Sequence, residues 1–268
     1  MSDLIDELLQ TSNQNSILGE VTFKGLYGLK KFEIFVDEDL SKTLNKSPGH
    51  YTTLKFNQNF LWSKKIRNYI SNILSKSLQK FFQKSAKVCK KILVVGFGNG
   101  NMVCDSLGKL VAKNIVVVDK QMAQKFGVSR FCVFLPSVEG LTGIDSIETT
   151  KLLTNNQKPD FVVAIDSLCA NDVSRLGFTI QLSDAGISPG AGVGNKKEVL
   201  NQKTLGVPVL CLGVPLLISA SSLCATQNGF YNHCTPKEID FVVEKCASII
   251  SDALNKSIYP KQILSLYD

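Results

Sequence analysis

Six short, largely apolar runs constrain this chain more than any other feature: Ile92–Val95, Ile115–Val118, Phe131–Leu135, Phe161–Ile165, Phe178–Leu182 and Val207–Leu212. A strand wetted on one face alternates apolar and polar residues, whereas a run apolar throughout needs cover on both faces. Patterns of helical period separate the runs. The class this implies is α/β, with a mixed, largely parallel twisted sheet sandwiched by helices.

The first part of the chain has a different rhythm. From Glu20 to Phe56 the pattern alternates, as in Lys31-Phe-Glu-Ile-Phe-Val36 and Tyr51-Thr-Thr-Leu-Lys-Phe56, with Gly25 and Gly28 as turn signals. Period two predicts an N-terminal antiparallel strand group. Between Asn59 and Lys84, Ile66, Tyr69, Ile70, Ile73, Leu74 and Phe81 recur near a 3.6-residue period, with lysines opposite, predicting a long amphipathic helix. A last helix is predicted from Thr235-Pro-Lys-Glu238, read as a capping box, with Ile239, Val242, Val243, Cys246, Ile249, Ile250 and Leu254 as its buried stripe. No linker divides the chain. It reads as one domain over residues 1–268, in which 1–57 form a β extension and 58–268 the core.

Composition narrows the function. A chain of 268 residues, 44% apolar and 20% charged, buries a substantial core. It has no run of about 18 apolar residues to span a membrane. Its start, Met1-Ser-Asp-Leu-Ile-Asp6, is acidic and polar rather than basic and then apolar, so the protein is expected to remain in the compartment where it is made. The net charge of +7 is diffuse and densest between Lys64 and Lys91, as on a solvated helix face, and requires no nucleic acid. The eight cysteines form no C-x-x-C pair, which points to buried, reduced thiols rather than a zinc site or a disulfide framework.

Three places could carry chemistry. Ile92-Leu-Val-Val-Gly-Phe-Gly-Asn-Gly-Asn101 leaves a strand for a helix, and Asp119 lies where a ribose-binding acid would be expected. Asn101, however, occupies the place of the fingerprint's third glycine, so a tight turn that presents Asp105 at the rim is the better reading. Asp166 closes the run Phe161-Val-Val-Ala-Ile-Asp166. Spacing leaves both acids open to two readings. They cap a turn and favour a helix start, or they form a close pair in which one carboxyl keeps a proton while the other acts as a base on water. The third place is the glycine-rich stretch Asp184-Ala-Gly-Ile-Ser-Pro-Gly190-Ala-Gly192-Val-Gly194-Asn195-Lys196-Lys197, whose backbone N–H groups could approach a ligand. The two histidines, His50 and His233, show no metal-ligand spacing, and no G-x-S-x-G elbow occurs.

These segments, taken in order, resemble the germination protease family of endospore-forming bacteria. The stretches that carry the resemblance are Gly49-His-Tyr51, Val94-Val-Gly-Phe-Gly-Asn99 with Asp105-Ser-Leu-Gly108, Gly140-Leu-Thr-Gly-Ile144, Lys158-Pro-Asp-Phe-Val-Val-Ala-Ile-Asp166, Ile180-Gln-Leu-Ser-Asp-Ala-Gly-Ile187 through Pro189-Gly190 to Lys196, Thr204-Leu-Gly-Val-Pro208 to Gly213-Val-Pro215, and Thr235-Pro-Lys-Glu238. The resemblance implies a phosphorylase/hydrolase-like fold similar to hydrogenase maturation endopeptidases. It also implies an aspartic-type endopeptidase without cofactor or metal, acting on small acid-soluble spore proteins. Asp105 and Asp166 fall on the family's catalytic positions, and Asp184, Gly190, Gly192, Gly194, Asn195, Lys196 and His50 are the expected substrate-binding set. A zymogen with a short N-terminal propeptide, a homotetramer and a place in the cytoplasm of the spore or forespore are implied as well. Neither membrane nor direct nucleic-acid binding is expected. Two alternatives stand beside it: a non-catalytic relative that binds a spore protein or peptide, and a metal-dependent maturation endopeptidase whose ligands are Asp105, Asp166 and a histidine such as His50. The chain departs from the family in Met102-Val-Cys104 before the first aspartate, in Ser188, where a histidine is common, and in the short stretch from 216 to 234, where the family carries a long insertion.

Overall fold

The computed structural model of the protein describes residues 21–44, 46–84, 91–170, 172–190, 198–220 and 233–267. In chain order the elements are β1 (Val21–Lys24), β2 (Lys30–Val36), α1 (Glu38–Leu44), β3 (Gly49–Lys55), α2 (Lys64–Lys84), β4 (Lys91–Gly96), α3 (Leu107–Lys113), α4 (Lys120–Phe126) and β5 (Arg130–Phe134). Then come α5 (Glu139–Thr142), α6 (Ser146–Gln157), β6 (Phe161–Ala170), β7 (Thr179–Ser183), α7 (Gln202–Leu205), β8 (Val209–Ser219), β9 (His233–Cys234), α8 (Ile239–Ile258) and α9 (Lys261–Leu264). All strands join one sheet in the order β1-β2-β3-β7-β8-β6-β4-β5, with β9 on β8.

The expected mixed α/β architecture is present. Strands β8, β6, β4 and β5 run parallel, and β7 reverses direction to pair with β8 and β3. The alternating N-terminal strands continue the same sheet through that reversal. Helices cover both faces, which is why the parallel strands read as unbroken apolar runs. On one face, Ile70, Leu74 and Leu78 of α2 and Val243, Cys246, Ile250 and Leu254 of α8 pack on Ile92, Val94, Val163, Ile165, Leu210 and Leu212. Lys76 and Lys80 of α2 face solvent, as the period predicts. On the other face, Ile147 of α6, Leu205 of α7, Ile187 and Leu200 cover Leu93, Val95, Val162, Ala164 and Cys211.

Four expectations need correction. Ile115–Val118 is not a strand. Its burial comes from the core beneath α8, where Ile115 and Val118 pack. Its backbone is satisfied by a side chain instead of a neighbouring strand: Val116 N donates to Asn255 Oδ1 at 3.0 Å, and Asn255 Nδ2 donates to Asn114 O at 3.0 Å. The capping box at Thr235 is absent, because α8 starts later with Glu238 as its N-cap and no side-chain cap bond, while Thr235 Oγ1 donates to Pro236 O. Cys234 is exposed on the short strand β9, although Cys169, Cys211 and Cys246 are buried free thiols. Finally, β6 does not end at Asp166 but runs on to Ala170.

Asn255 is itself buried, and Asn255→Ala would remove the partner of the half-buried Val116 N–H and of the Asn114 carbonyl, which lies on an exposed residue. A buried group left unpaired costs about 1–3 kcal/mol, and less where water replaces the partner. The variant is expected to lose roughly 1–2 kcal/mol in urea unfolding with the slope of the transition unchanged.

Candidate active site

The site begins where one strand stops and its neighbour continues. The β4–β6 pairing ends at Gly96 opposite Ile165, followed by one further bond from Phe97 N to Ile165 O at 2.8 Å. From Asp166 onward β6 is held in the sheet by β8, with Asp166 opposite Gly213 and Ala170 opposite Ile218. Asp166 is therefore the first residue of β6 whose β4 side is open. Side chains alternate along a strand, so Asp166 shares a face with Val162 and Ala164, towards α6 and α7. It is only 4% exposed.

The chain leaving β4 fills the opened edge. Gly98 has φ +103°, and a Cβ there would lie 2.2 Å from Asp105 O, so the turn closes only around glycine. Asn99 N donates to Asp105 Oδ2 at 2.6 Å, and Asn101 N donates to Asn99 Oδ1 at 3.0 Å. A short 3₁₀ turn, Val103–Asp105, packs against β6, β8 and α8 and leads into α3 through Ser106. The close strand–helix approach that a dinucleotide fingerprint assigns to its third glycine is made by Gly108: a Cβ at Gly96 would stand 2.4 Å from Gly108 O. Asp119, the other element of that reading, caps α4 by accepting from Met122 N at 2.7 Å. It has a structural task.

The two carboxyl groups have different surroundings. Burial first, and then the neighbouring Asp105 charge, push the Asp166 carboxyl up to about 7 against the pull of the Ser167 and Gly190 N–H groups. Ser167 N lies 3.0 Å from Asp166 Oδ1. Burial also raises Asp105, while its bond from Asn99 N lowers it. Asp105 is the less enclosed of the two, and the short bond from Asn99 N works against the rise that burial causes.

Of the expected substrate-binding residues, Gly190 reaches this site through its N–H. Gly192, Gly194, Asn195 and Lys196 lie outside the described residues. His50 and Asp184 pair with each other: Asp184 accepts from His50 N at 2.6 Å, and its other oxygen lies 3.1 Å from His50 Nδ1. His50 shares its strand face with Thr52 and Leu54, and Leu54 belongs to the α2 side. The His50 ring is accordingly on the opposite face of the sheet from Asp166. Two contributions escape sequence reasoning, namely the bond from Asn99 N to Asp105 and the close approach of Gly108 to Gly96. Their roles depend on register and on the path of a turn, which no single-sequence period encodes.

Comparison with known proteins places the chain in a family. The family model described as "Germination protease" (Peptidase_A25) matches residues 6–233. A germination protease of Clostridium tetani is 30% identical, with 84% of this chain and 83% of that protein aligned. The chain belongs to the germination protease family. A relative from Bacillus cereus is 34% identical over 76% of this chain, which spans only 57% of that longer protein. Among solved structures, a NiFe hydrogenase maturation protease from Thermococcus kodakarensis aligns over 66% of this chain and 98% of its own, with a TM-score of 0.38 and 20% identity. In this germination protease family member Asp166 lies where β6 outruns β4, and Asp105 on the turn that leaves β4. No helix among the described residues is long and apolar enough to cross a membrane.

The raised Asp166 carboxyl has a thermodynamic sign. Between the ordinary carboxyl range near 4 and about 7, the folded chain binds a proton that the unfolded chain has released. Its contribution to stability is complete below about pH 4 and is lost as pH rises through 7. Asp166→Asn is therefore expected to become progressively more stable than wild type from pH 5 to pH 8, by up to a few kcal/mol. Asp105→Asn should bring the Asp166 titration down, measured by carboxyl ¹³C NMR. An unchanged midpoint would show that the two groups do not sense each other.

Proposed function

We propose that this chain is an endopeptidase that degrades small acid-soluble spore proteins during germination, using Asp105 and Asp166 to activate a water. The observation that carries the reading is the placement of two carboxyl groups at one rim of the sheet: Asp166, buried where β4 stops and raised by burial and by the neighbouring Asp105 charge, and Asp105, held on the adjoining turn by the Asn99 N–H. Family membership supplies the peptidase class.

In the proposed cycle the ionised Asp105 takes a proton from water as the oxygen attacks the peptide carbonyl carbon. Protonated Asp166 donates to the carbonyl oxygen, so no free oxyanion forms in the buried site. Collapse of the tetrahedral adduct returns the carbonyl, and the proton taken by Asp105 passes to the leaving nitrogen. The proton on the collapsing hydroxyl returns to Asp166, which restores the starting state. The Gly190 N–H, already directed to Asp166, holds the acid in place. The glycine-rich segment beyond it, with Asn195, Lys196 and Lys197, is proposed to meet the substrate backbone and acidic side chains.

The metal-dependent alternative needs a histidine beside the two acids. His50 does not fit that role, because its ring is committed to Asp184 on the other face of the sheet. The non-catalytic alternative is separated by experiment. Purified protein incubated with a small acid-soluble spore protein should yield defined fragments, and Asp105→Asn or Asp166→Asn should reduce the rate at least about a thousandfold while circular dichroism stays native. Binding without fragments in the wild type would support the non-catalytic reading, and full activity in both variants would end the dyad. The rate should also fall above about pH 7, as Asp166 loses the proton it donates.

A further inference from the structure

His50 and Asp184 stand on the other face of the sheet from Asp166, yet the chain that leaves Asp184 arrives at the site. Strand β7 stops at Ser183, and the segment from Asp184 to Gly190 then brings the Gly190 N–H to the Asp166 carboxyl. The segment is tied down along the way. Ala185 N donates to Ser183 Oγ at 3.0 Å. Ile187 N donates to Leu200 O at 2.9 Å, and Leu200 N donates back to Ile187 O at 2.7 Å. Gly186 has φ +99°, and a Cβ there would stand 2.7 Å from Leu200 O, so the two stretches run in close contact. Ala185, Gly186, Ile187 and Pro189 are all buried. A segment packed this tightly transmits a displacement of one end to the other instead of absorbing it.

The first residue of the segment is held by side-chain bonds as well as by the strand. Asp184 accepts from His50 N at 2.6 Å, its second oxygen lies 3.1 Å from His50 Nδ1, and Asp184 N donates to His50 O at 3.2 Å. The His50 ring is set in turn by Phe35 on β2, with the ring centroids 4.8 Å apart. The approach requires glycine at the preceding position: Gly49 has φ +151°, and a Cβ there would fall 2.7 Å from Asp184 Oδ1 and 2.9 Å from Ala185 Cβ. The pairing of β3 with β7 is already complete at Tyr51 opposite Ser183. What the Asp184 carboxyl adds is the direction in which the chain departs.

We propose that His50 and Asp184 are positioning residues for the acid at Asp166: by fixing how the chain leaves β7 they set the reach of the segment, and so hold the Gly190 N–H on the carboxyl group. In this role neither touches the substrate. The inference rests on the peptidase reading only where a cleavage rate is measured, since the proton affinity of Asp166 reports the clamp without cleavage. An N–H donated to a carboxylate favours the ionised form, so releasing it raises the Asp166 midpoint. Among the described residues, Asp105 and the Cys211 thiol are the other titratable side chains that act on Asp166 or feel its charge, and every variant below leaves both in place.

The test follows the Asp166 carboxyl by ¹³C NMR, together with the pH profile of kcat/KM on a small acid-soluble spore protein. Asp184→Ala removes the acceptor, and Gly49→Ala displaces it while keeping both residues of the clamp. Each should raise the Asp166 midpoint by about half a unit or more, the worth of a weakened N–H bond, and move the falling limb of kcat/KM up with it. In both, kcat should drop at least about fivefold while KM changes less. Asp184→Asn, whose amide oxygen still accepts from His50 N, should recover most of the shift. The His50 ring is half exposed, so His50→Phe keeps the fold where Asp184→Ala loses it, and it should shift the midpoint in the same direction; His50→Asn, whose amide can donate in place of Nδ1, should recover it. Asn255→Ala destabilises the fold away from the clamp and is the control. Asp166 midpoints unchanged in Asp184→Ala, Gly49→Ala and His50→Phe, or raised equally in Asn255→Ala, would overturn the clamp and leave the peptidase reading standing. The expected shifts in a protein that cuts no spore protein would uphold the clamp and end the peptidase reading.

Discussion

A carboxyl group buried in the middle of a strand is the constraint on which the rest of this structure depends. Taking an ionised carboxylate out of water is prohibitive without compensation, and a buried acid responds by keeping its proton. Asp166 is accommodated because β6 loses its β4 partner at that residue, so that its polar end meets a turn and backbone N–H groups instead of another apolar strand. The parallel strands supply rigidity and the unequal strand lengths supply the opening. A longer β4 would bury the same acid against apolar neighbours with nothing to pair with it.

The turn that enters the opening is shaped by absences of side chains. Gly98 lets the chain pass over the Asp105 carbonyl, and Gly96 lets α3 press against β4 at Gly108. Together they bring Asp105 back towards Asp166, and the Asn99 N–H fixes one of its oxygens. The two faces of the sheet then divide the work. The face under α2 and α8 holds the larger apolar core, whereas the face under α6 and α7 carries Asp166 and the Gly190 N–H. His50 and Asp184 belong to the former face, and their mutual bonds pin the end of β7 to the start of β3.

Much of this was legible in the sequence where a pattern reports burial directly. The apolar runs at Ile92, Phe131, Phe161 and Val207 became the parallel strands, and the stripes of α2 and α8 became their cover. Burial alone, however, does not say how a backbone is paired. Ile115–Val118 is as apolar as a strand yet is satisfied by Asn255, a residue far along the chain. The run ending at Asp166 looked finished because an acid interrupted its hydropathy, but β8 carries the pairing on to Ala170. Thr235-Pro-Lys-Glu238 has the letters of a cap without its geometry, because the helix starts beyond it. Asp105 and Asp166 could be named as a pair from the family resemblance, while the residues that set their inequality act through a backbone N–H and a register.

That inequality bears on the proposed division of labour between two similar acids at different depths. Two equally exposed carboxyls would both ionise at neutral pH, and two equally buried ones would both resist ionising. Depth separates them. Asp166 sits on the strand and is enclosed, whereas Asp105 sits on a turn and retains partial access to solvent with a 2.6 Å bond from Asn99 N. Moving the acid of the turn onto a strand, or shortening β6 by a few residues, would erase the difference without changing either residue type. The different surroundings of the two acids are therefore set by the relative lengths of β4 and β6, at the place where the two strands part.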